Sequence, residues 1–147
     1  MIIWLTGNRG AGKTTLANAW RKQEPSWILL DGDEMRSSIS RDAGFSRRDR
    51  HEHNLRVARL AAELARQDHN VVVAVIAPFA ETRREVDQIA NVKWVFLRRW
   101  SLPIKADEPY EDPKECLMLD VDAMTIEAEV GALTRLVYGK PSEGMGI

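Results

Sequence analysis

Residues 7 to 14 read Gly7-Asn8-Arg9-Gly10-Ala11-Gly12-Lys13-Thr14, which fits the phosphate-gripping pattern G-x-x-x-x-G-K-[ST]. The pattern constrains the fold because it works in one setting only, a turn between a strand and a helix. Its glycines let the backbone curl until the N–H groups point inward at phosphate oxygens. Lys13 then reaches the β- and γ-phosphates, and the Thr14 hydroxyl can hold Mg²⁺. Both flanks are present. Met1 to Thr6 is a short apolar run of the kind a buried parallel strand presents. Thr14 to Glu24 carries Leu16, Ala17 and Trp20 at helical spacing, and Pro25 closes it. The nucleotide-binding set read from this stretch is Gly7, Asn8, Arg9, Gly10, Ala11, Gly12, Lys13, Thr14 and Thr15, with ATP and Mg²⁺ as its ligands.

The rest of the chain alternates between strand and helix signals. Trp27 to Asp31 reads as a second strand, followed by a short helix from near Asp33 towards Arg41. Ser46 is placed to cap a long helix from Arg47 to Asp68. Val71 to Ile76 is β-branched and apolar, and Pro78 ends it. A helix over Glu81 to Ala90, a strand over Val92 to Leu97, a strand over Cys116 to Leu119 and a helix over Thr125 to Tyr138 complete the pattern, with Gly139 as a helix stop. The βα alternation predicts an α/β fold of the P-loop NTPase type, three layers deep, with a mostly parallel sheet of about five strands. One domain is expected over 1–139 and a disordered tail over 140–147.

Composition narrows the function classes. The 147 residues carry a formal net charge of −1, so no global field favours nucleic acid or membrane. Fifteen arginines against six lysines suit forked recognition of phosphate or sulfate. The single Cys116 excludes an internal disulfide and fits a cytoplasmic location. No leader or membrane-spanning pattern is visible. The sequence leaves a homodimer open.

In an open parallel sheet, ligands bind at the carboxyl ends of the strands. That edge gathers Asp31-Gly32-Asp33, whose carboxylates can take a proton from an attacking hydroxyl or help hold Mg²⁺. Asp33 and Asp31 are therefore read as catalytic with Lys13, and Thr14 with Asp33 as the metal side. On the long helix, Val57, Ala58, Leu60, Ala61, Leu64 and Ala65 form the apolar face. Extended to the ligand edge, that stripe turns polar at Arg50, His53 and Asn54, which points to ligand contact. His51 and His53, two apart, lie on different sides of the helix and do not share a metal. Ile76, Ala77, Pro78 and Phe79 follow the third strand, and Phe79 and Phe45 are candidates to pack on a substrate ring.

Several ordered motifs resemble the adenylylsulfate kinases. They are Gly7 to Thr15, Leu30-Asp31-Gly32-Asp33-Glu34-Met35-Arg36, Gly44-Phe45-Ser46-Arg47-Arg48-Asp49-Arg50, Ile76-Ala77-Pro78-Phe79 with Arg83, and Pro109-Tyr110-Glu111-Asp112-Pro113. The resemblance implies an ATP-dependent phosphotransferase with an alcohol acceptor, acting in that family on the ribose 3′-hydroxyl of adenylyl sulfate. It implies that Asp33 is the base or metal-linked carboxylate, and that Arg36, Phe45 and Arg50 hold the nucleotide-sulfate. Three features depart from the family pattern. His53 stands where the family has Asn. Ala77 and Ala80 replace a serine and an arginine. Leu97 to Lys105 bridges almost directly to Asp107-Glu108-Pro109-Tyr110, which leaves no room for the family's lid segment. A lidless relative acting on another hydroxyl, on a nucleotide-linked intermediate or a hydroxymethylated base in DNA, and a nucleotide-binding module without transfer activity are the alternatives.

Overall fold

The computed structural model describes residues 1–103 and 105–139; the expected tail at 140–147 lies outside them. In chain order the elements are β1 (Ile2–Thr6), α1 (Lys13–Gln23), β2 (Ile28–Asp31), α2 (Gly32–Ser37), α3 (Arg47–Arg66), β3 (Val71–Ala74), α4 (Ala80–Ile89), β4 (Val92–Arg98), β5 (Leu117–Asp120) and α5 (Ile126–Tyr138). The five strands form one sheet in the order β2-β3-β1-β4-β5, with every pairing parallel. The expected α/β architecture is therefore present, and its sheet is wholly rather than mostly parallel.

Strand alternation divides the core in two. Ile3 and Leu5 of β1 point to one side, where they join Leu16, Trp20, Val72, Val95, Leu97 and Leu133. Ile2 and Trp4 point to the other side and join Val57, Ala61, Val71, Val73 and Val86. Helices α1 and α5 cover the first face and α3 and α4 the second. All five residues of β1 are buried because the strand is central and covered on both sides.

Local chemistry sets the ends of the elements. The Ser46 hydroxyl accepts from the Asp49 N–H at 3.1 Å and starts α3, as its sequence position predicts. Thr125 does the same for α5. Several elements are shorter than the sequence suggests, and for two of them the side-chain contacts show why. Helix α2 stops at Ser37, not near Arg41, because the Ser37 and Ser38 hydroxyls both donate to the Glu34 carbonyl, at 3.0 and 2.7 Å, and compete with the helical ladder. Strand β3 stops at Ala74, not Ile76. Beyond it the carbonyl of Val75 accepts from Trp4 Nε1 at 3.0 Å, that of Ile76 accepts from the Thr6 hydroxyl, and Ala77 takes a left-handed φ of 46°. The strand end is thus turned into a shaped loop at the carboxyl edge.

Candidate active site

The turn between β1 and α1 has the backbone that its sequence demands. A Cβ on Gly7 would lie 2.6 Å from the Leu97 carbonyl oxygen, so only glycine lets the loop pass this close to β4. Gly12 adopts φ 98° at the start of α1, where a side chain would be strained. Lys13 folds back over the loop and donates to the carbonyls of Gly7 and Asn8 at 2.7 and 2.9 Å. Burial pushes its pKa down to about 8, against an opposing pull from the Asp31 carboxylate. Arg99, at the end of β4, donates to the Gly10 carbonyl at 2.9 Å and ties the loop's outer arm to the following segment.

The two carboxylates after β2 divide their contacts. Asp31 is buried, accepts from the Thr14 hydroxyl at 2.6 Å and caps α2 through the Asp33 N–H at 3.3 Å. The sequence reading grouped Thr14 with Asp33 as the metal side; the carboxylate in direct contact with the Thr14 hydroxyl is that of Asp31. Asp33 is exposed and lines the same cavity.

Across the cavity stand α2, the loop before α3, and the first turns of α3. Phe45 is 71% exposed and projects from the loop. The Arg36 guanidinium lies 4.6 Å from its ring centroid and donates to the Gly44 carbonyl at 2.6 Å, and Arg50 lies 6.0 Å from the same centroid. Burial, and then the neighbouring Arg50 charge, hold the Arg36 pKa below its ordinary value. Arg50 Nε and Asn54 Oδ1 are sealed from solvent without a hydrogen-bond partner among the described residues. His53 and Asn54 are buried on the inward stripe of α3, as the turn of that stripe from apolar to polar implies. His51 faces elsewhere, towards Thr82 at 2.7 Å and Glu85 at 2.9 Å on α4.

The floor is the loop after β3. Ile76, Ala77 and Pro78 line the cavity; Phe79 does not. Phe79 is 3% exposed and lies under the Arg47 guanidinium, 3.9 Å from its ring centroid, so the ring expected to meet substrate is a packing residue instead. Arg83 is buried and braces this loop, donating to the Ala77 carbonyl at 2.7 Å and to the Glu111 carbonyl at 2.5 Å. Tyr110 completes the brace: its hydroxyl lies 2.7 Å from Thr6 Oγ1 and its ring stacks on Phe96. Burial pushes the Tyr110 pKa up, which keeps the phenol protonated as a donor.

These parts enclose one cavity of about 1150 Å³, with the loop residues Asn8 to Gly10 and Gly12 to Thr15 on one wall and Arg36, Phe45, Arg50, His53 and Asn54 on another. Gly7 and Ala11 lie beneath the surface and do not line it. Sequence reasoning did not foresee Ser37, Asp107, Glu108 and Pro109 on the rim; the motif at Pro109 was visible, but its place against the cavity was not. A smaller cavity of about 480 Å³ lies where β4 begins, between Asp87 and Trp94, away from all motif residues.

Residues 1–101 match the family model described as adenylylsulphate kinase. The chain belongs to this family. An adenylyl-sulfate kinase of Myxococcus xanthus is 45% identical over 93 residues, which cover 61% of the chain and 50% of that protein. The chain thus spans about half the length of the first such relatives. A probable adenylyl-sulfate kinase of Aeropyrum pernix is 31% identical, with 93% of the chain and 92% of the relative aligned. Among solved structures, the Mycobacterium tuberculosis APS kinase in complex with AMPPNP and APS superposes with a TM-score of 0.84 at 25% identity, covering 93% of the chain and 96% of that structure. Each of the motifs quoted from the sequence contributes at least one residue to the lining of the large cavity. Among the described residues, no helix is long and apolar enough to cross a membrane.

Proposed function

We propose that this chain transfers the γ-phosphate of ATP to a hydroxyl of adenylyl sulfate. The observation that carries the reading is that the phosphate-gripping loop and the Arg36–Phe45–Arg50 cluster face one continuous cavity. At about 1150 Å³ it exceeds the roughly 300–1,000 Å³ of a site for one drug-sized ligand, which suits two nucleotides held together. Family membership and the two ligands named for the Mycobacterium tuberculosis structure support the same pairing.

The roles follow from position. Backbone N–H groups of the loop and Lys13 hold the β- and γ-phosphates; binding replaces Lys13's contacts with two carbonyls by contacts with anionic oxygens. The Thr14 hydroxyl and the Asp31 carboxylate form a hard oxygen pair that fits Mg²⁺, which when bound neutralises phosphate charge. Asp33, exposed to the cavity, accepts the proton of the attacking hydroxyl. Arg36 and Arg50, two cations side by side, hold the anionic end of the acceptor, with Phe45 as a stacking face for its base. Asn54, whose amide nitrogen donates to the Arg50 carbonyl at 2.9 Å, steadies the turn of α3 that carries Arg50.

The stretch after β4 does not carry a closing lid in this reading. The family match ends at residue 101, and the alignment with the Aeropyrum pernix relative runs to 168 positions against a chain of 147 residues. Arg99 on the Gly10 carbonyl and Leu102, packed 3.5 Å from the position of a Gly10 Cβ, cover the loop from that side instead. ADP release with adenylyl sulfate and with a panel of other hydroxyl-bearing nucleotides tests the assignment. Faster release with another nucleotide would move the acceptor, and release with none would leave a binding module.

A further inference from the structure

The two edges of the sheet differ. At one, every residue of β2 is buried or half-buried. At the other, β5 pairs with β4 alone among the described residues, and Leu117 and Met118 are 36% and 46% exposed. Leu117 to Asp120 contains no lysine and no proline, the residues that commonly blunt a free edge. Side chains alternate across a strand, so Leu117 and Met118 leave apolar surface on both faces of this edge.

The backbone fixes which groups are free. The Val121 N–H donates to the Arg98 carbonyl at 2.9 Å, so Val121 and, stepping back by twos, Leu119 and Leu117 turn their peptide groups towards β4. Cys116, Met118 and Asp120 turn theirs outwards. A strand that pairs here with a copy of itself about a symmetry axis runs antiparallel and sets outward residues opposite outward residues. Centred on Leu117, such pairing places Cys116 opposite the partner's Met118 and Lys114 opposite the partner's Asp120. Lys114 is exposed, and Asp120 Oδ1 has no hydrogen-bond partner among the described residues. The neighbouring registers fit worse. Centred on Cys116, Asp112 meets the partner's Asp120. Centred on Met118, Cys116 meets the partner's Asp120, and Lys114 passes the strand end to the partner's Asp122, a residue already engaged by Ser101 within each chain.

We propose that the outer edge of β5 is the contact surface for a second copy of this chain, paired antiparallel about Leu117 so that the two sheets become one. The Lys114–Asp120 pairs select the register, and Leu117 and Met118 lose their exposure to water. The contact stands whether or not the chain transfers phosphate. The paired strand runs on to Asp122, whose carboxylate accepts from the Ser101 N–H and hydroxyl at 2.9 and 2.8 Å and lies 3.9 Å from Arg99 Nε. Arg99 holds the Gly10 carbonyl, so pairing at β5 steadies the segment that covers the phosphate loop.

Sedimentation equilibrium of the full chain across the micromolar range should show a monomer–dimer equilibrium, as a small interface gives. Lys114→Glu, which sets a like charge against Asp120, should weaken the dimer at least about tenfold. Met118→Pro removes an outward N–H without touching the ladder to β4 and should act in the same direction. Thermal melts of both variants separate lost pairing from misfolding, and Lys114→Glu, an exposed change, carries the test if Met118→Pro unfolds. The register is read by crosslinking. In a Cys116→Ser background, Leu117→Cys should give a disulfide-linked dimer on mild oxidation, because residues paired at the symmetry axis have Cα atoms about 4.5 Å apart. Glu115→Cys in the same background should not. A monomer at every concentration, a dimer indifferent to Lys114→Glu, or no crosslink through Leu117→Cys would overturn the inference. A monomer whose β5 amides are protected from hydrogen exchange would assign the edge to another part of this chain and overturn it equally.

Discussion

The Thr14 hydroxyl donates to Asp31 Oδ1 at 2.6 Å, tying the first turn of α1 to the end of β2. This contact separates the two carboxylates of the Asp31-Gly32-Asp33 turn by task. Asp31 is engaged with the loop, whereas Asp33 faces the cavity. Asp31→Asn should raise the Mg²⁺ concentration needed for half-maximal activity about tenfold or more. Asp33→Asn should lower kcat by about 10²- to 10⁴-fold with little change in the KM for ATP. Titration of Mg²⁺ in steady-state assays of both variants checks the division; equal responses would remove it.

Lys13 gives the site a pH dependence. Its pKa is pushed down to about 8 from an ordinary 10.5. A bound phosphate favours the charged ammonium, so nucleotide affinity should be steady up to about pH 8 and then fall as the free protein loses that proton. The sign for folding is the opposite. Between about pH 8 and 10.5 the unfolded chain binds the proton that the native Lys13 has lost, so this residue's contribution to stability rises with pH there. Calorimetric titration of ADP from pH 7 to 9.5, with Lys13→Arg as the control that keeps its charge, reads the first effect. An affinity that stays level to pH 9.5 would contradict the assignment.

Gly7→Ala should be severe although it adds one methyl group. The new Cβ would meet the Leu97 carbonyl at 2.6 Å at a φ of 155°. The loop must move, with a strain of about 1–3 kcal/mol and loss of measurable nucleotide binding. A denaturant melt and an ADP titration measure the two consequences.

Tyr110→Phe separates bracing from chemistry. The Thr6 hydroxyl already donates to Ile76, so Tyr110 is the donor in their 2.7 Å contact. Its loss should lower stability by about 1 kcal/mol, read in a urea melt, while kcat stays within about twofold because the hydroxyl faces β1 and not the cavity.

Much of this arrangement was legible in the sequence. The phosphate loop, the order of strands and helices, and the polar turn of the α3 stripe at His53 and Asn54 follow from local patterns that no tertiary contact overrides. Other features depend on what meets across space. Phe79 reads as a substrate platform until Arg47 and the loop after β3 bury it. Asp31 and Asp33 are two carboxylates one glycine apart, and only the approach of Thr14 distinguishes them. Ser40 carries no motif at all; its link to His53 joins residues thirteen apart through a loop whose path the sequence does not reveal. Helix α2 ended early because two serine hydroxyls captured one carbonyl, a competition that propensity alone does not resolve.

The most direct measurement of the central claim is mass spectrometry of adenylyl sulfate incubated with the protein, ATP and Mg²⁺. The expected result is adenylyl sulfate heavier by one phosphoryl group, formed in step with ADP and lost in Lys13→Ala. Unmodified adenylyl sulfate, under conditions where ATP is shown to bind, would contradict it.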